Sequence, residues 1–400
     1  MSSTTADTPP TPGENIAVLR KARGIGQAKL AKRSGFSVSC LSKVETGLRP
    51  ATPQFVAAVA AALRVTTARV YGQPFADTSQ QAEGLDVLRA AVRRHTLPRE
   101  DALPPAALLS AVREAVDLRA QTRYLDLLAL LPKLLGQATA SAFEAPGDAT
   151  AWAQVADLYG CAYGVAHRLG QADLADMIVS RQTWAARQTW APDVEASAAW
   201  NEAGTYQTAG QYDDGLAVIE RAISAYERAT RALGATPERL VSLGSLHLRG
   251  VVLASRHRDA AATEAHVTKA KTLAEQLPRD VLAHNLTFGP GNVALYELAA
   301  HIELDRPADA ARMATPLLAS PPAGLRPTRV GRLAIDAARA HLAVRGYEEA
   351  ERALGQAFAV APEMAAVHPM SREVIRVLFV LNQRTRPRLL EMARRVGLAT

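Results

Sequence analysis

The sequence predicts an all-α protein with a small helical head and a long body of helical hairpins, and three observations carry this. The composition is 48% hydrophobic but only 5% aromatic, so the β-branched and aromatic runs that favour strands are scarce. Apolar residues recur at helical spacing, with no strand-like alternation. Four hundred residues also exceed what one hydrophobic core usually organises. The reading in order is a disordered Pro/Thr/Gly-rich tail over residues 1–13, a head over 14–75, a linker and connecting helix over 76–105, and a repeat body over 106–400.

In the head, Ile16, Leu19 and Ala22 define a first helix that stops at Gly24. A second runs from Gln27 to Ser34 with Ala28, Leu30 and Ala31, closed by Gly35, where a left-handed residue meets no Cβ clash. Ser37 is an N-cap for a third, Val38 to about Thr46, with Leu41 and Val44 on one face and Gly47 as its stop. Pro53 opens a fourth through Ala57 and Leu63, and Thr67 to Tyr71 forms a short fifth. Cys40 is either a small residue tucked under the third helix or a redox-sensitive thiol.

Charge separates the two parts. Of 46 basic and 39 acidic residues, ten bases and three acids lie in residues 1–75, so the excess of +7 belongs to the head and the remainder is neutral. A compact basic segment beside a neutral body is the electrostatic footprint of nucleic-acid binding. A membrane surface is disfavoured, since the N-terminus is polar and the run Leu127 to Leu135 is too short to span and contains Pro132 and Lys133. A cytoplasmic protein is expected.

Two short helices joined by a Gly-containing turn and wrapped by others make a helix-turn-helix. The stretch LRKARGIGQAKLAKRSGFSVSCLSKVETGLRPATPQFVAAVAAALRV resembles the lambda-repressor and Cro-like domains of the xenobiotic-response-element family, with Gln27, Gly35, Ser37, Glu45 and Gly47 at that family's spacing. The resemblance implies that the third helix enters the major groove. Val38, Ser39, Ser42 and Lys43 then reach base edges: Ser and Lys as hydrogen-bonding groups, Val38 against a thymine methyl. Ser37 and Arg49 flank them and complete the DNA-binding set, and Gln27 holds a backbone phosphate beside the helix N-terminal amides. Arg20 and Glu45 match a structural ion pair between helices one and three. Gly26 stands where the family usually has Ser, Thr or Asn as cap, a loss of a few tenths of a kcal/mol. The third helix exposes no Arg, Asn or Gln.

In the body, Ala203, Tyr206, Gly210, Tyr212, Gly215, Ile219 and Ala222 follow the spacing of a tetratricopeptide repeat, and Ala338, His341, Tyr347, Ala350, Leu354, Ala357 and Pro362 repeat it. Weaker copies include Tyr163, Gly170, Ala175 and Val179; Gly250, Leu253 and Ala262; and Leu298, His301, Ala310 and Ala314. Small residues there let two helices approach, and large ones fill the space between hairpins, so stacking buries a continuous core and leaves a concave binding face. Thr96 to Pro105 reads as a joint after the first body helix. Head and body together resemble the helix-turn-helix regulators with tetratricopeptide-like bodies of high-GC actinobacteria, carried by FGPGNVALYELAAHIEL and by the ending from Ala361. Gram-positive peptide-sensing regulators share this architecture, which implies signal binding and dimerisation by the body.

Trp152, Trp184, Trp190 and Trp200 crowd into one segment near Tyr159, Tyr163 and Tyr206. They form either an aromatic ligand pocket or ordinary inter-helix packing. Trp200, Asn201 and Asn292 are the ligand-binding candidates, because Asn donates and accepts toward a peptide backbone; Asn285, beside a break at Gly289 to Gly291, suits a turn. His341 occupies a core repeat position. No metal site or cofactor is expected: the nine histidines and two cysteines lack ligand spacing, and GIGQAK at Gly24 and GPG at Gly289 follow no predicted strand. No nucleophile, base and oxyanion set assembles, so an enzyme is not expected. The function expected is a homodimeric regulator on a double-stranded DNA operator, with a peptide, small molecule or protein on the concave face. The alternative is a repeat scaffold with a weakly specific DNA-binding head.

Overall fold

The computed structural model describes residues 10–73, 79–381 and 386–398. The fold is all-α, with twenty-one helices and one two-stranded hairpin among these residues, and the chain divides into two compact units. One comprises residues 1–76, 305–319 and 330–400; the other comprises 77–304 and 320–329. The head is thus grouped with the last helices of the chain, a division that the sequence pattern does not announce.

The head's five helices are α1 (Pro12–Ala22), α2 (Gln27–Ser34), α3 (Val38–Glu45), α4 (Pro53–Leu63) and α5 (Thr67–Tyr71). Helix α1 starts inside the segment expected to be an unstructured tail. Thr11 accepts the Glu14 N–H, and the Glu14 carboxylate takes the Thr11 N–H at 2.7 Å, a capping box that meets two orphan donors. The first nine residues of that expected tail lie outside the described residues. Ile16, Leu30, Leu41, Phe55, Val59, Leu63 and Val70 close the core, with Phe36 edge-on to Phe55 at 4.9 Å. Each such fully buried side chain contributes about 1.5–3 kcal/mol. Gly13 is required where α1 crosses α3, because a Cβ there would lie 2.2 Å from the Val44 carbonyl oxygen.

The second unit holds α6 (Ser79–Arg93), α7 (Pro105–Ala120), α8 (Tyr124–Glu144), α9 (Ala149–Arg168), α10 (Ala172–Arg187), α11 (Pro192–Ala209), α12 (Tyr212–Thr230), α13 (Pro237–His257), α14 (Ala260–Ala274), β1 (Val281–Ala283), β2 (Leu286–Phe288) and α15 (Pro290–Glu303). The proline-bearing joint falls between α6 and α7. Helices α9 and α10, α11 and α12, and α13 and α14 pack as hairpins. Gly170 and Gly210 take left-handed conformations at φ 71° and 80° in two of the turns. The small repeat residues act as spacing requires: a Cβ on Gly215 would meet Leu253 at 2.7 Å, and one on Gly250 would meet the His266 ring at 2.6 Å.

The antiparallel hairpin corrects the expectation of a body without strands. Val281 pairs with Phe288 and Ala283 with Leu286, leaving His284 and Asn285 as a two-residue turn with both φ positive. Asn285 is held by its amide bond to the Asp157 carbonyl at 2.8 Å, and the Cys161 thiol contacts its Oδ1 at 3.4 Å. Phe288 fills a site that only Gly244 on α13 leaves open.

The remaining helices are α16 (Pro307–Ala319), α17 (Pro327–Ala343), α18 (Tyr347–Val360), α19 (Pro362–Val367), α20 (Pro369–Leu381) and α21 (Pro387–Arg395). His341 is buried on α17, as its repeat position requires. No helix among the described residues is long and apolar enough to cross a membrane.

Candidate nucleic-acid interface

Helix α3 is amphipathic by construction. Ser37 caps it, its Oγ accepting the Cys40 N–H at 3.1 Å. Cys40, Leu41 and Val44 face the core. Val38, 45% exposed, lies on the solvent side with Ser39 and Lys43, while Ser42 is half-buried. The helix ends one residue before the expected Thr46, whose hydroxyl donates back to the Ser42 carbonyl at 2.9 Å. Lys29, Lys32 and Arg33 on α2 and Arg49 after α3 are also exposed, so hydroxyl, methyl and cationic groups share the surface of this helix pair.

The Arg20–Glu45 pair stands between α1 and α3. Arg20 Nε and Nη2 donate to the two Glu45 oxygens at 2.8 and 2.9 Å, and Nη1 donates to the Ile25 carbonyl at 2.9 Å. Burial acts to raise the Glu45 carboxyl, but the bonds from Arg20 and Gln27 outweigh it and hold the carboxyl below its ordinary range. Gln27 therefore departs from its expected outward role. Its Nε2 donates to Glu45 at 2.7 Å, drawn in by an oxygen that the guanidinium leaves with lone-pair capacity. Gly26 supplies no side-chain cap, so α2 opens on main-chain amides alone.

The loop after α3 has a contact that sequence reasoning missed. The Ala51 N–H donates to Glu373 on α20 at 2.7 Å, and Arg376, one turn further, pairs with Glu373 at 2.8 Å. The Arg376 guanidinium lies over Gly47, which is buried at φ 81°, and reaches the Arg49 carbonyl at 3.5 Å. A Cβ on Gly47 would lie 2.5 Å from Arg376 Nη1. The sequence signal for this contact is no more than an i, i+3 Glu/Arg pair on an apolar helix.

The four tryptophans do not form one pocket. Trp152 and Trp184 meet edge-on at 5.1 Å beside Phe143, which is inter-helix packing. Trp190 is 88% exposed, and Trp200 lies beneath Arg249 with its ring centroid 3.5 Å from the guanidinium carbon. Asn201 and Asn292 are corrected as surface clamps. Both are buried: Asn201 donates to Gln182 at 2.7 Å and Asn292 to the Thr287 carbonyl at 2.6 Å, because amides inside a helical stack must find internal partners. The GPG segment does follow a strand, β2, contrary to expectation. The α15 amides of Gly291 and Asn292 are taken by the chain's own Asp280 carboxylate at 3.1 and 2.8 Å.

Residues 13–70 match the family model described as a helix-turn-helix domain. A search of curated proteins finds no match. Among solved structures, the chain is similar to Bacillus thuringiensis PlcR in its complex with the peptide PapR7 and DNA, at 17% identity and a TM-score of 0.32, covering 67% of this chain and 95% of that one.

Proposed function

We propose that this protein is a sequence-specific DNA-binding transcriptional regulator. The observation that carries the reading is α3: a capped helix in a helix-turn-helix domain, with Val38, Ser39 and Lys43 exposed on a head that holds the chain's whole excess of positive charge. In the major groove, Ser39 and Ser42 hydrogen-bond base edges, Lys43 reaches a guanine or a phosphate, and Val38 meets a thymine methyl. Ser37, Arg49 and the open amides beginning at Gln27 position the head on the backbone. Two copies would place paired α3 helices about 34–36 Å apart on a pseudo-palindromic operator. The helical body carries the dimer and couples a ligand, peptide or partner to the placement of the heads; such coupling requires a difference in affinity between two arrangements.

The test is binding to an operator selected from random duplexes, followed across a salt series. A regulator prefers its operator over random duplex by about 10³-fold or more. Equal affinity for both, falling together with salt, supports the alternative of a repeat scaffold with a weakly specific head. The short side chains of Val38 and Ser39 favour that second reading, since Lys43 is the only long side chain that α3 exposes and no Arg, Asn or Gln accompanies it.

A further inference from the structure

The turn between α3 and α4 is anchored at its two ends by bonds that belong to the head. The Leu48 and Arg49 N–H groups donate back to the Lys43 carbonyl at 2.8 and 3.1 Å, and the Thr52 hydroxyl caps α4 by accepting the Phe55 N–H at 3.3 Å. Between these anchors Ala51 is fully buried, and a buried N–H left without an acceptor is costly. Its acceptor comes from outside the head: the Glu373 carboxylate on α20, at 2.7 Å. Arg376 completes the hold. Its Nη2 donates to Glu373 at 2.8 Å and reaches the Arg49 carbonyl at 3.5 Å, while its Nη1 covers Gly47. The Arg49 main chain is thus fixed by Lys43 of α3 on one side and by α20 on the other, within one compact unit. Arg49 itself is exposed.

Glu373 and Arg376 are 2% and 7% exposed, on a helix whose other buried residues include Met370, Val374, Ile375, Val377 and Leu378. A buried ion pair in such a setting adds little stability over well-packed hydrophobic residues of similar volume. What hydrophobic residues could not do is accept the Ala51 N–H or hold the Arg49 carbonyl. The pair therefore serves the geometry of residues 47–51.

We propose that Glu373 and Arg376 are positioning residues for DNA binding: through the Ala51 N–H and the Arg49 carbonyl they set where the Arg49 guanidinium meets a backbone phosphate. A loose turn loses conformational entropy when it binds, whereas a turn already held by α20 is preorganised. Any displacement of α20 then weakens the phosphate contact while leaving the exposed groups of α3 in place. The inference rests on the DNA-binding reading above.

The experiment measures affinity of the full chain for an operator selected from random duplexes, across a salt series. The proteins are wild type, Arg49→Ala, Glu373→Met/Arg376→Met and the combination of all three changes. Arg49→Ala should weaken binding about tenfold and lower the salt slope by about 1. The α20 double variant, shown by thermal melting to be folded, should reproduce both effects. Adding Arg49→Ala to it should then weaken binding by less than about twofold more, because both changes remove the same contact. A pair that serves packing alone leaves the wild-type salt slope intact and lets the two losses multiply; either result would overturn the proposal. Glu373→Leu/Arg376→Leu replaces the double variant if that protein does not fold. Hydrogen exchange on DNA-free wild type tests the hold without any variant: the Ala51 amide should exchange slowly, and exchange at the rate of an open loop would also overturn the proposal. The two levels fail differently. Wild type without preference for any duplex defeats the DNA-binding reading and this inference with it, whereas operator binding unchanged in the α20 variant defeats this inference alone.

Discussion

Glu373 accepts the main-chain N–H of Ala51 at 2.7 Å across 322 residues of chain, and both groups are buried. The loop that follows α3 is therefore held by α20. The same carboxylate neutralises Arg376, whose guanidinium covers Gly47. This makes the conformation of residues 47–51, Arg49 included, a property of the C-terminal helices as well as of the head.

Replacing Glu373 with Ala should leave Arg376 charged and buried and the Ala51 N–H without its acceptor. The expected loss is about 3–5 kcal/mol in chemical denaturation of the full chain. Glu373→Met/Arg376→Met should recover much of it, since no buried charge then remains unpaired. A single variant as stable as wild type would contradict the contact.

Glu45→Ala should unfold the head rather than retune it. Arg20 is then buried without its partner, at a cost of about 3–5 kcal/mol, and affinities for operator and random duplex should fall together. The acid dependence has a definite sign. A carboxyl held below its unfolded value stabilises the fold fully above that value, about 4.3, and the contribution is lost as pH falls through the folded pKa. A change in operator preference with the head still folded would contradict this assignment.

The His247 and His266 rings meet Nδ1 to Nδ1 at 3.1 Å between α13 and α14. Burial, with the neighbouring His266, pushes His247 down to about 4. The unfolded chain then binds more protons than the folded one below about pH 6.5. Stability should decline as pH falls from there toward about 4, and His247→Gln should flatten the decline in a series of thermal melts. Identical pH profiles for the two proteins would exclude this pair as the cause.

Gly244→Ala places a Cβ 2.2 Å from the Phe288 ring. A loss of about 1–3 kcal/mol is expected from overpacking, readable in the melting temperature, while Gly355→Ala, with open space at its Cβ position, should cause no steric loss.

What the sequence showed of this fold was local. Gly35 and Ser37 announce the borders of α2 and α3 because a left-handed turn and an N-cap are one-residue decisions, and Gly210 and Gly215 announce a hairpin because close helix approach excludes larger residues. Thr11 and Glu14 also form a local signal, a capping box hidden by the prolines around it. The hairpin at Val281–Phe288 has strands of three residues, too short for alternation to register. The exposed set Val38, Ser39 and Lys43 was legible from helical spacing, whereas the inward turn of Gln27 depends on where Glu45 lies after folding. The bond from Ala51 to Glu373 is a tertiary fact without a sequence pattern.

The most direct test of the DNA-binding account is recovery of genomic DNA fragments by the purified full chain, compared with Ser39→Ala/Lys43→Ala. The account predicts a shared inverted repeat among the wild-type fragments that disappears in the double variant. Uniform, salt-sensitive recovery of all fragments by both proteins would contradict it.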